Sequence, residues 1–508
     1  MTRVTLLLAS LFFLSAQFAP AALKLPSIFG DHMVLQRDMD VRIWGWADPN
    51  QAVSVKIDSQ EVSASVGADG RWEVKLSPLK TNAEGLKMTI TAGDESLTFS
   101  NILVGEVWVC SGQSNMKQSI GQSHNAALEM LTASYPKIRI ISVPQVGTQE
   151  LQNDFVGEWA AITPETAAGF SAVGYYFGRQ LHQTLDVPIG LIDTAWGGSA
   201  AEAWVRRDVL EADPKYADYI AQWNEIEATF DFEKERARWK AEAADRKAAG
   251  EKTLGRPPRN LLAGQHRPGN LYAGVLHPII GYPIRGAVWY QGENNVVRAW
   301  NYRDLFPLMI SHWREQWQQG DFPFYWVQLA DYGDEVAEPE PSNWAVMRES
   351  QSHSLKLPNT GQAVICDIGE GRDIHPRNKQ EVGKRLARIA LARDYGKDIV
   401  HQSPSFESVK FKGEDALVTF KDTGSRLYTF DVRHAVGFTI AGEDQVWHNA
   451  QARLIGANRV KVWSEDEEEP VAVRYAWANN PVANLQNREG LPANPFRTDD
   501  WPVPTQPQ

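Results

Sequence analysis

A short apolar segment that ends abruptly in small polar residues is the feature that most restricts how this chain can fold. Residues 107–110, VWVC, form an uninterrupted apolar run. Such a run is typical of a strand that is buried on both faces of a parallel sheet. Residues 111–116, SGQSNM, then end the strand and turn the chain. Because open α/β sheets place their sites at the carboxyl ends of strands, Ser114 is predicted to be exposed on a rigid base.

The same turn also fits an ordinary connection between a strand and a helix, since a lone Gly-x-Ser is a weak signal. Met116 stands where the G-x-S-x-G signature of α/β-hydrolases has its second glycine. That signature is therefore absent, and any role for Ser114 depends on what the rest of the chain brings to it.

Buried strands and amphipathic helices alternate from residue 102 to about residue 396. The predicted strands are 107–110, 138–143, 187–193, 284–290, 324–329 and 362–367, and the predicted helices are 124–134, 169–185, 302–317, 344–355 and 379–392. This alternation predicts an α/β fold with a doubly wound parallel sheet and helices on both faces. A charged, helix-prone stretch at about 210–255 is predicted to be an inserted helical excursion with a solvated face.

The flanking regions have a different pattern, and 508 residues are enough for two to four domains. Short alternating strands separated by turn residues predict an N-terminal β-sandwich domain over residues 22–101. Strands shorten again after residue 396, which predicts a C-terminal β-rich region over residues 397–508. The chemistry is therefore expected in residues 102–396.

Residues 1–21 have the pattern of a secretory signal peptide. Arg3 supplies the positive start, residues 4–13 are mostly apolar, and residues 19–21, APA, fit a small-x-small cleavage site. The apolar run is too short to span a bilayer, although an uncleaved anchor is the alternative interpretation. The mature protein is predicted to be periplasmic or secreted.

Charge and cysteine content restrict the partners and the covalent structure. The net charge of −12 argues against nucleic acid or an anionic membrane as a partner. Cys110 and Cys366 are the two cysteines, and both lie in apolar, strand-like runs. Two separate buried thiols are predicted, although an exported protein with two cysteines can instead form one disulfide bridge.

Four strand ends are predicted to meet at one edge of the sheet, and each carries a group that acyl transfer needs. They bear Ser114, Gly197-Gly198, residues 291–294 (QGEN), and Asp373 with His375. A serine hydroxyl is too weakly acidic to attack an ester unaided, so it needs an adjacent base. His375 is the predicted base, since an imidazole can take and return a proton near neutral pH.

The remaining catalytic parts have more than one candidate. An acid must orient the imidazole and stabilise its charged form, and Asp373 and Glu293 both qualify. The oxyanion needs donors, and the candidates are the backbone N–H groups of Ser114 and Gly198 and a side-chain amide from Gln291 or Asn294. The histidines show no tight ligand spacing, so neither a metal site nor a cofactor is predicted.

These residues resemble the sialate O-acetylesterase family, within the larger class of SGNH-type hydrolases. The likeness covers nearly all of the mature chain. It lies in residues 112–116 (GQSNM), 196–199 (WGGS), 289–293 (WYQGE) and 373–376 (DIHP), and in the terminal motifs at 25–29 (LPSIF), 31–36 (DHMVLQ) and 473–477 (VRYAW).

The resemblance implies a three-layer α/β hydrolase core and removal of acetyl groups from a sugar hydroxyl. By position it makes Ser114 the nucleophile, His375 the base and Gly198 an oxyanion donor. One position departs from the superfamily pattern, which has an aspartate three residues before the histidine; here that residue is Arg372. The resemblance therefore leaves the acid open, and its likeness to acetylxylan esterases supports Glu293.

The residues and the resemblance together predict a serine esterase that deacetylates carbohydrate, with sialic acid as the expected substrate. A sialic acid site should hold a cation for the sugar carboxylate, and Arg206, Arg298 and Arg372 are the candidates. The alternative substrate is a neutral acetylated plant glycan, xylan or xyloglucan, which needs no such cation. A non-catalytic carbohydrate-binding protein is the alternative from another functional class.

Overall fold

The computed structural model describes residues 22–252 and 254–507. The signal peptide predicted for residues 1–21 lies outside the described residues. Within the described ranges, the structure contains no helix with the length and apolar character needed to cross a membrane.

Three consecutive parts of the chain differ in secondary structure. The first part holds strands β1 (Val34–Gln36), β2 (Val41–Trp46), β3 (Ala52–Ile57), β4 (Gln60–Ser65), β5 (Arg71–Leu76), β6 (Asn82–Ala92) and β7 (Glu95–Gly112). The middle part holds α1 (Ser114–Lys117), α2 (Ala126–Thr132), β8 (Tyr135–Ser142), β9 (Ala160–Ile162), α3 (Ala172–Leu185), β10 (Ile189–Asp193), α4 (Arg207–Glu211), α5 (Ala217–Thr229), α6 (Phe232–Ala248), β11 (Gly286–Tyr290), α7 (Tyr302–Trp317), β12 (Phe324–Val327), α8 (Asn343–Ser352), β13 (Thr360–Ala363) and α9 (Lys379–Arg393). The last part holds β14 (Ser405–Lys412), β15 (Asp415–Lys421), β16 (Leu427–Thr429), β17 (Phe438–Ala441), β18 (Trp447–Asn449), β19 (Gln451–Ile455), β20 (Arg459–Trp463), β21 (Ala472–Tyr475), β22 (Leu485–Asn487) and β23 (Phe496–Arg497).

The central sheet has β7 in its middle, with the order β13-β12-β11-β7-β10-β8-β9. Every neighbouring pair from β13 to β8 is parallel, and β9 is an antiparallel edge strand. The predicted α/β class is confirmed, with a mixed rather than a purely parallel sheet. Because the parallel strands share one direction, their carboxyl ends all lie at the same edge.

Helices cover both faces of this sheet, because side chains along each strand alternate between two cores. Trp108 and Cys110 pack into a core that also contains side chains of α3 and α9. Val107 and Val109 face the other way, into a core that contains side chains of α7 and α8. The uninterrupted apolar run in the sequence is thus explained by burial on both faces.

Strand β7 also belongs to the N-terminal sheet, since it pairs there with β6 and with β1. The apolar side chains of β2, β3, β5 and β6 join the same core as those of α7 and α8. The predicted boundary at residue 101 therefore falls inside one continuous strand. The C-terminal part is rich in strands, as predicted, and has a separate core.

The predicted end of the last sheet strand is wrong, whereas the predicted state of the two cysteines is confirmed. The last strand of the sheet was expected over residues 362–367, but β13 ends at Ala363 because its partner β12 ends at Val327 and offers no further ladder. The two separate buried thiols are confirmed: Cys110 and Cys366 are both free and buried. Burial raises the pKa of the Cys366 thiol to about 12.

A buried carboxylate lies where β7 passes from the N-terminal sheet into the central sheet. Glu106 has no exposed surface and accepts hydrogen bonds from Arg37 Nε at 2.6 Å, Arg285 Nε at 2.9 Å and Gln36 Nε2 at 3.0 Å. A buried charge is stable only when it is paired and hydrogen-bonded. Glu106 therefore ties two segments that are distant in sequence, residues 36–37 and Arg285, to the middle of β7.

Replacing this carboxylate should lower stability without touching the predicted site. Glu106→Gln is expected to lower the free energy of unfolding by about 1.5–3 kcal/mol, because hydrogen bonds to charged groups are lost. Urea denaturation provides the measurement. The control is Glu61→Gln, whose ion pair with Lys56 spans 3.7 Å on the surface and should contribute within about 0.5 kcal/mol. Equal denaturation midpoints for the two variants would contradict the assignment.

Candidate active site

The turn after β7 is fixed by close contact between two backbones. Gly112 has a φ of +131°, and a Cβ atom there would lie 2.2 Å from the carbonyl oxygen of Tyr290, at the end of β11. The next residue, Gln113, donates its backbone N–H to that same carbonyl at 2.9 Å. Only glycine fits this approach. Ser114, the first residue of α1, is consequently held at the carboxyl edge of the sheet.

Ser114 meets His375 across 261 positions of sequence. Its Oγ lies 2.7 Å from His375 Nε2, within hydrogen-bond distance. Burial, helped by the nearby Lys379 ammonium, lowers the pKa of His375 below its usual value of 6.5, and Asp373 opposes this effect. The imidazole is therefore neutral at pH 7 and can accept the hydroxyl proton. The predicted pair of nucleophile and base is brought together.

The structure separates the two candidate acids. Asp373 Oδ1 lies 3.6 Å from His375 Nδ1 and accepts the His375 backbone N–H at 2.9 Å. Glu293 contacts a different residue, since its Oε1 accepts a hydrogen bond from Asn115 Nδ2 at 2.6 Å. Asp373, rather than Glu293, is the carboxylate beside the imidazole, even though it is only two residues away in the chain.

The glycine pair lies next to the serine, as predicted. A Cβ atom at Gly197 would be 3.6 Å from the Ser114 Cβ, and Gly198 has a φ of +71°, in the left-handed region. The Gly198 carbonyl accepts a hydrogen bond of 2.8 Å from His266 Nε2. This bond fixes the peptide plane between Gly198 and Ser199. Gln265 Nε2 donates to the Gly197 carbonyl at 3.3 Å, which fixes the preceding plane that carries the Gly198 N–H.

The two candidate amides occupy different environments. Gln291 is fully buried, and its Nε2 donates to Ser199 O at 3.0 Å and to Asn295 Oδ1 at 2.7 Å. Both of its amide protons are thus bonded within the protein, and the role of Gln291 as an oxyanion donor stays a prediction. Asn294 is half-buried and its Nδ2 lies 3.2 Å from His266 Nε2. Because His266 Nε2 donates its proton to the Gly198 carbonyl, the Asn294 side-chain amide protons have no hydrogen-bond acceptor among the described residues.

Two buried residues in the site had no role assigned from the sequence. Asn115 is 1% exposed and Lys379 has no exposed surface. Asn115 belongs to the GQSNM motif, so its position next to Ser114 could have identified it from the sequence. Lys379 opens an amphipathic helix, where a lysine is ordinarily solvated, so no pattern distinguished it. Burial lowers the pKa of Lys379 to about 7.

Two further histidines, His277 and His312, have their contacts elsewhere. His277 Nδ1 donates to the Gln152 carbonyl at 2.7 Å, and His312 packs against Tyr272. In the part of the chain that the structure describes, no group of three or more histidine, cysteine, aspartate and glutamate side chains could hold a metal ion.

Comparisons with known proteins agree with this arrangement. The family model described as "Carbohydrate esterase, sialic acid-specific acetylesterase" matches residues 104–236 and 271–392. Human sialate O-acetylesterase is 29% identical over 93% of this chain and 92% of its own length. The rat sialate O-acetylesterase is 32% identical over 78% of each chain. The crystal structure of a carbohydrate acetylesterase from Xanthomonas citri is 36% identical, with a TM-score of 0.80, and covers 94% of this chain and 100% of the solved one.

These similarities define the class of protein first: the chain is an enzyme, a carboxylic ester hydrolase. More specifically, it belongs to the sialic acid-specific acetylesterase family of carbohydrate esterases, which confirms the family resemblance found in its motifs. Family membership supports carbohydrate de-O-acetylation as its activity.

Covalent labelling should report the activated serine directly. A serine-reactive phosphonate is expected to modify Ser114, because His375 can take its proton, and peptide mass spectrometry identifies the modified residue. His375→Ala should slow labelling by about 10²–10⁴-fold through loss of the base. Ser111→Ala, which alters a buried serine in the same strand end, should label at the parental rate. Labelling of Ser114→Ala at the parental rate would contradict the assignment.

Proposed function

We propose that this protein is a serine esterase that removes O-acetyl groups from carbohydrate through an acetyl-enzyme intermediate. The observation that carries the proposal is the 2.7 Å approach of Ser114 Oγ to His375 Nε2. It supplies the contact between nucleophile and base that acyl transfer requires. Helices on both faces of the sheet, with the site residues at its carboxyl edge, support an SGNH-type core.

In the first half of the proposed reaction, Ser114 Oγ attacks the acetyl carbonyl carbon while His375 Nε2 takes the hydroxyl proton. Asp373 faces the opposite ring nitrogen, where it stabilises the imidazolium that forms. The C–O bond to the sugar then breaks, and His375 returns the proton to the departing sugar oxygen. The products of this half are the free sugar hydroxyl and an acetyl ester on Ser114.

We assign the oxyanion formed by this attack to three donors. They are the backbone N–H groups of Ser114 and Gly198 and the side-chain amide of Asn294. Ser114 begins a helix, so its N–H is among the donors that a helix leaves without an internal partner. Each preorganised donor of this kind contributes roughly 10²–10³-fold in rate.

In the second half, His375 takes a proton from water, and the water oxygen attacks the acetyl-Ser114 carbonyl. Breakdown of the resulting intermediate releases acetate and returns the proton to Ser114 Oγ. His375 is 36% exposed on its side chain, so water can reach the imidazole once the sugar has left. Consistent with an enzyme that meets extracellular glycans, we also propose export, based on the pattern at residues 1–21.

The proposed substrate is an O-acetylated sialic acid, and Arg372 is the residue proposed to pair with its carboxylate. Arg206 and Arg298 are already paired, with Asp208 and with Glu202 respectively. Arg372 is exposed, and within the described residues it forms no ion pair. It also directly precedes Asp373 in the chain. Relatives named sialate O-acetylesterase support the same substrate.

Acetate release tests the proposed chemistry. Ser114→Ala should lower kcat on an O-acetylated sugar by at least about 10³-fold, because the covalent route is lost. Asp373→Asn should lower kcat by about 10²-fold, since the imidazolium loses its neighbouring charge. The matched control is Asp398→Asn, an exposed aspartate far along the chain, which should leave the rate unchanged. Parental acetate release by Ser114→Ala would exclude a serine esterase.

A side-by-side comparison of two substrates tests the proposed specificity. Arg372→Ala should reduce kcat/KM for acetylated sialic acid by about tenfold or more. The reason is that the variant loses the charge-assisted hydrogen bonds between the guanidinium and the sugar carboxylate. The same variant should leave kcat/KM for neutral acetylated xylo-oligosaccharide unchanged. Arg433→Ala, another exposed arginine, is the control and should affect neither substrate. A parental enzyme that acts only on the neutral glycan would identify a plant-glycan acetylesterase instead.

A further inference from the structure

One buried side chain connects three of the four segments that build the site. Asn115 Nδ2 donates to Glu293 Oε1 at 2.6 Å and to the Ile374 carbonyl at 2.9 Å, and Asn115 Oδ1 accepts from Lys379 Nζ. Both amide protons and the amide oxygen are therefore used. A buried amide with all of these bonds made is stable in one orientation, and any replacement leaves partners unsatisfied.

These hydrogen bonds lie directly beside the two residues proposed to react. Asn115 directly follows Ser114, and Ile374 directly precedes His375. The hydrogen bond from Asn115 to the Ile374 carbonyl thus joins the nucleophile turn to the loop that carries the base. The 2.7 Å contact between Ser114 and His375 is made by two side chains whose backbones are tied together one residue away.

A buried pair of opposite charges surrounds this amide. Lys379 lies on one side, at the start of α9, and its Nζ is also 5.2 Å from the centre of the Tyr290 ring. Glu293 lies on the other side, and its second oxygen, Oε2, is buried without a hydrogen-bond partner in the described residues. The orientation of Asn115 follows from this polarity, since its oxygen faces the ammonium and its nitrogen faces the carboxylate.

We propose that Asn115 is a positioning residue for the hydrolysis, and that the Lys379–Glu293 pair holds its amide in the orientation that sets the distance between Ser114 and His375. The proposal rests on the proposed serine mechanism and adds three residues that act through others. Asn115 sets the geometry, whereas Lys379 also places a positive charge near the imidazole and disfavours its protonation.

The charged groups around this network define the expected pH response. His375 faces Lys379 from α9 and Asp373 from its own loop, and Lys379 faces Glu293, Asp373 and Glu370. The α1 turn adds no charge beside the imidazole, since its Lys117 pairs with Asp193 at 3.7 Å. Lys379 disfavours the imidazolium and Asp373 favours it. Removing the lysine charge therefore makes His375 easier to protonate.

The first experiment measures kcat and KM of Asn115→Ala on a soluble acetyl ester. A misplaced base should lower kcat by about 10²-fold while KM changes little, because Asn115 is buried and is not expected to contact substrate. The matched control is Asn487→Ala, which removes another fully buried amide from the C-terminal part. A comparable fall in melting temperature for both variants, with loss of kcat only in Asn115→Ala, supports the proposal. Parental kcat in folded Asn115→Ala overturns it.

The second experiment measures the pH dependence of kcat/KM in Lys379→Met, which keeps the length of the side chain and removes its charge. The acid limb of the profile should move to higher pH, because protonated His375 is no longer disfavoured. Lys384→Met removes an exposed charge from the same helix and should leave the limb in place. If the acid limb of the Lys379→Met profile stays at the parental pH, the proposal is overturned. This test does not depend on whether Asn115→Ala folds.

Ser114→Ala, assayed in parallel, distinguishes failure of the serine mechanism from failure of the positioning role. If Ser114→Ala keeps the parental rate, the serine mechanism itself is wrong. If Ser114→Ala is inactive and Asn115→Ala keeps the parental rate, the serine mechanism stands and the positioning role is wrong.

Discussion

The close approach of the β7 and β11 backbones at their carboxyl ends is the constraint on which the site depends. Gly112 permits it by having no side chain, and Gln113 then bonds to the Tyr290 carbonyl. Ser114 starts its helix one residue later, so the position of its hydroxyl is fixed by the sheet and not by a long loop. The glycine pair after β10 and the amides after β11 are placed by the same parallel register.

Charged groups around His375 add to the constraints that the sheet imposes on the site. Burial and the neighbouring Lys379 ammonium lower the pKa of the His375 imidazole. The Asp373 carboxylate lies 3.6 Å from its other nitrogen and opposes this effect. The lysine and glutamate of this network are both deeply buried, which is costly unless they are paired through hydrogen bonds. Asn115 provides those bonds between them. The same groups are those proposed to position Ser114 and His375 and to adjust the proton affinity of the imidazole.

The sequence predicted those parts of the fold that depend on local pattern. Apolar runs such as residues 107–110 identified the buried strands, and polar residues at their ends placed Ser114 and His375 at a common edge. The end of β13 was misplaced because it depends on where its partner strand stops. The proximity of Asp373 rather than Glu293 to the imidazole, and the internal hydrogen bonds of Gln291, depend on side-chain directions that only the tertiary structure specifies.

The continuity of β7 has a consequence for how such a chain can be divided. Many multidomain proteins are joined by linkers, so that modules can be recombined, reordered or produced in isolation. Here one half of an 18-residue strand belongs to the N-terminal sheet, and the other half lies in the central sheet and leads directly to Ser114. Any shortened form for crystallisation, and any recombination event during evolution, would have to cut within a hydrogen-bonded ladder. The N-terminal part is thus an integral piece of the catalytic scaffold and not an exchangeable accessory.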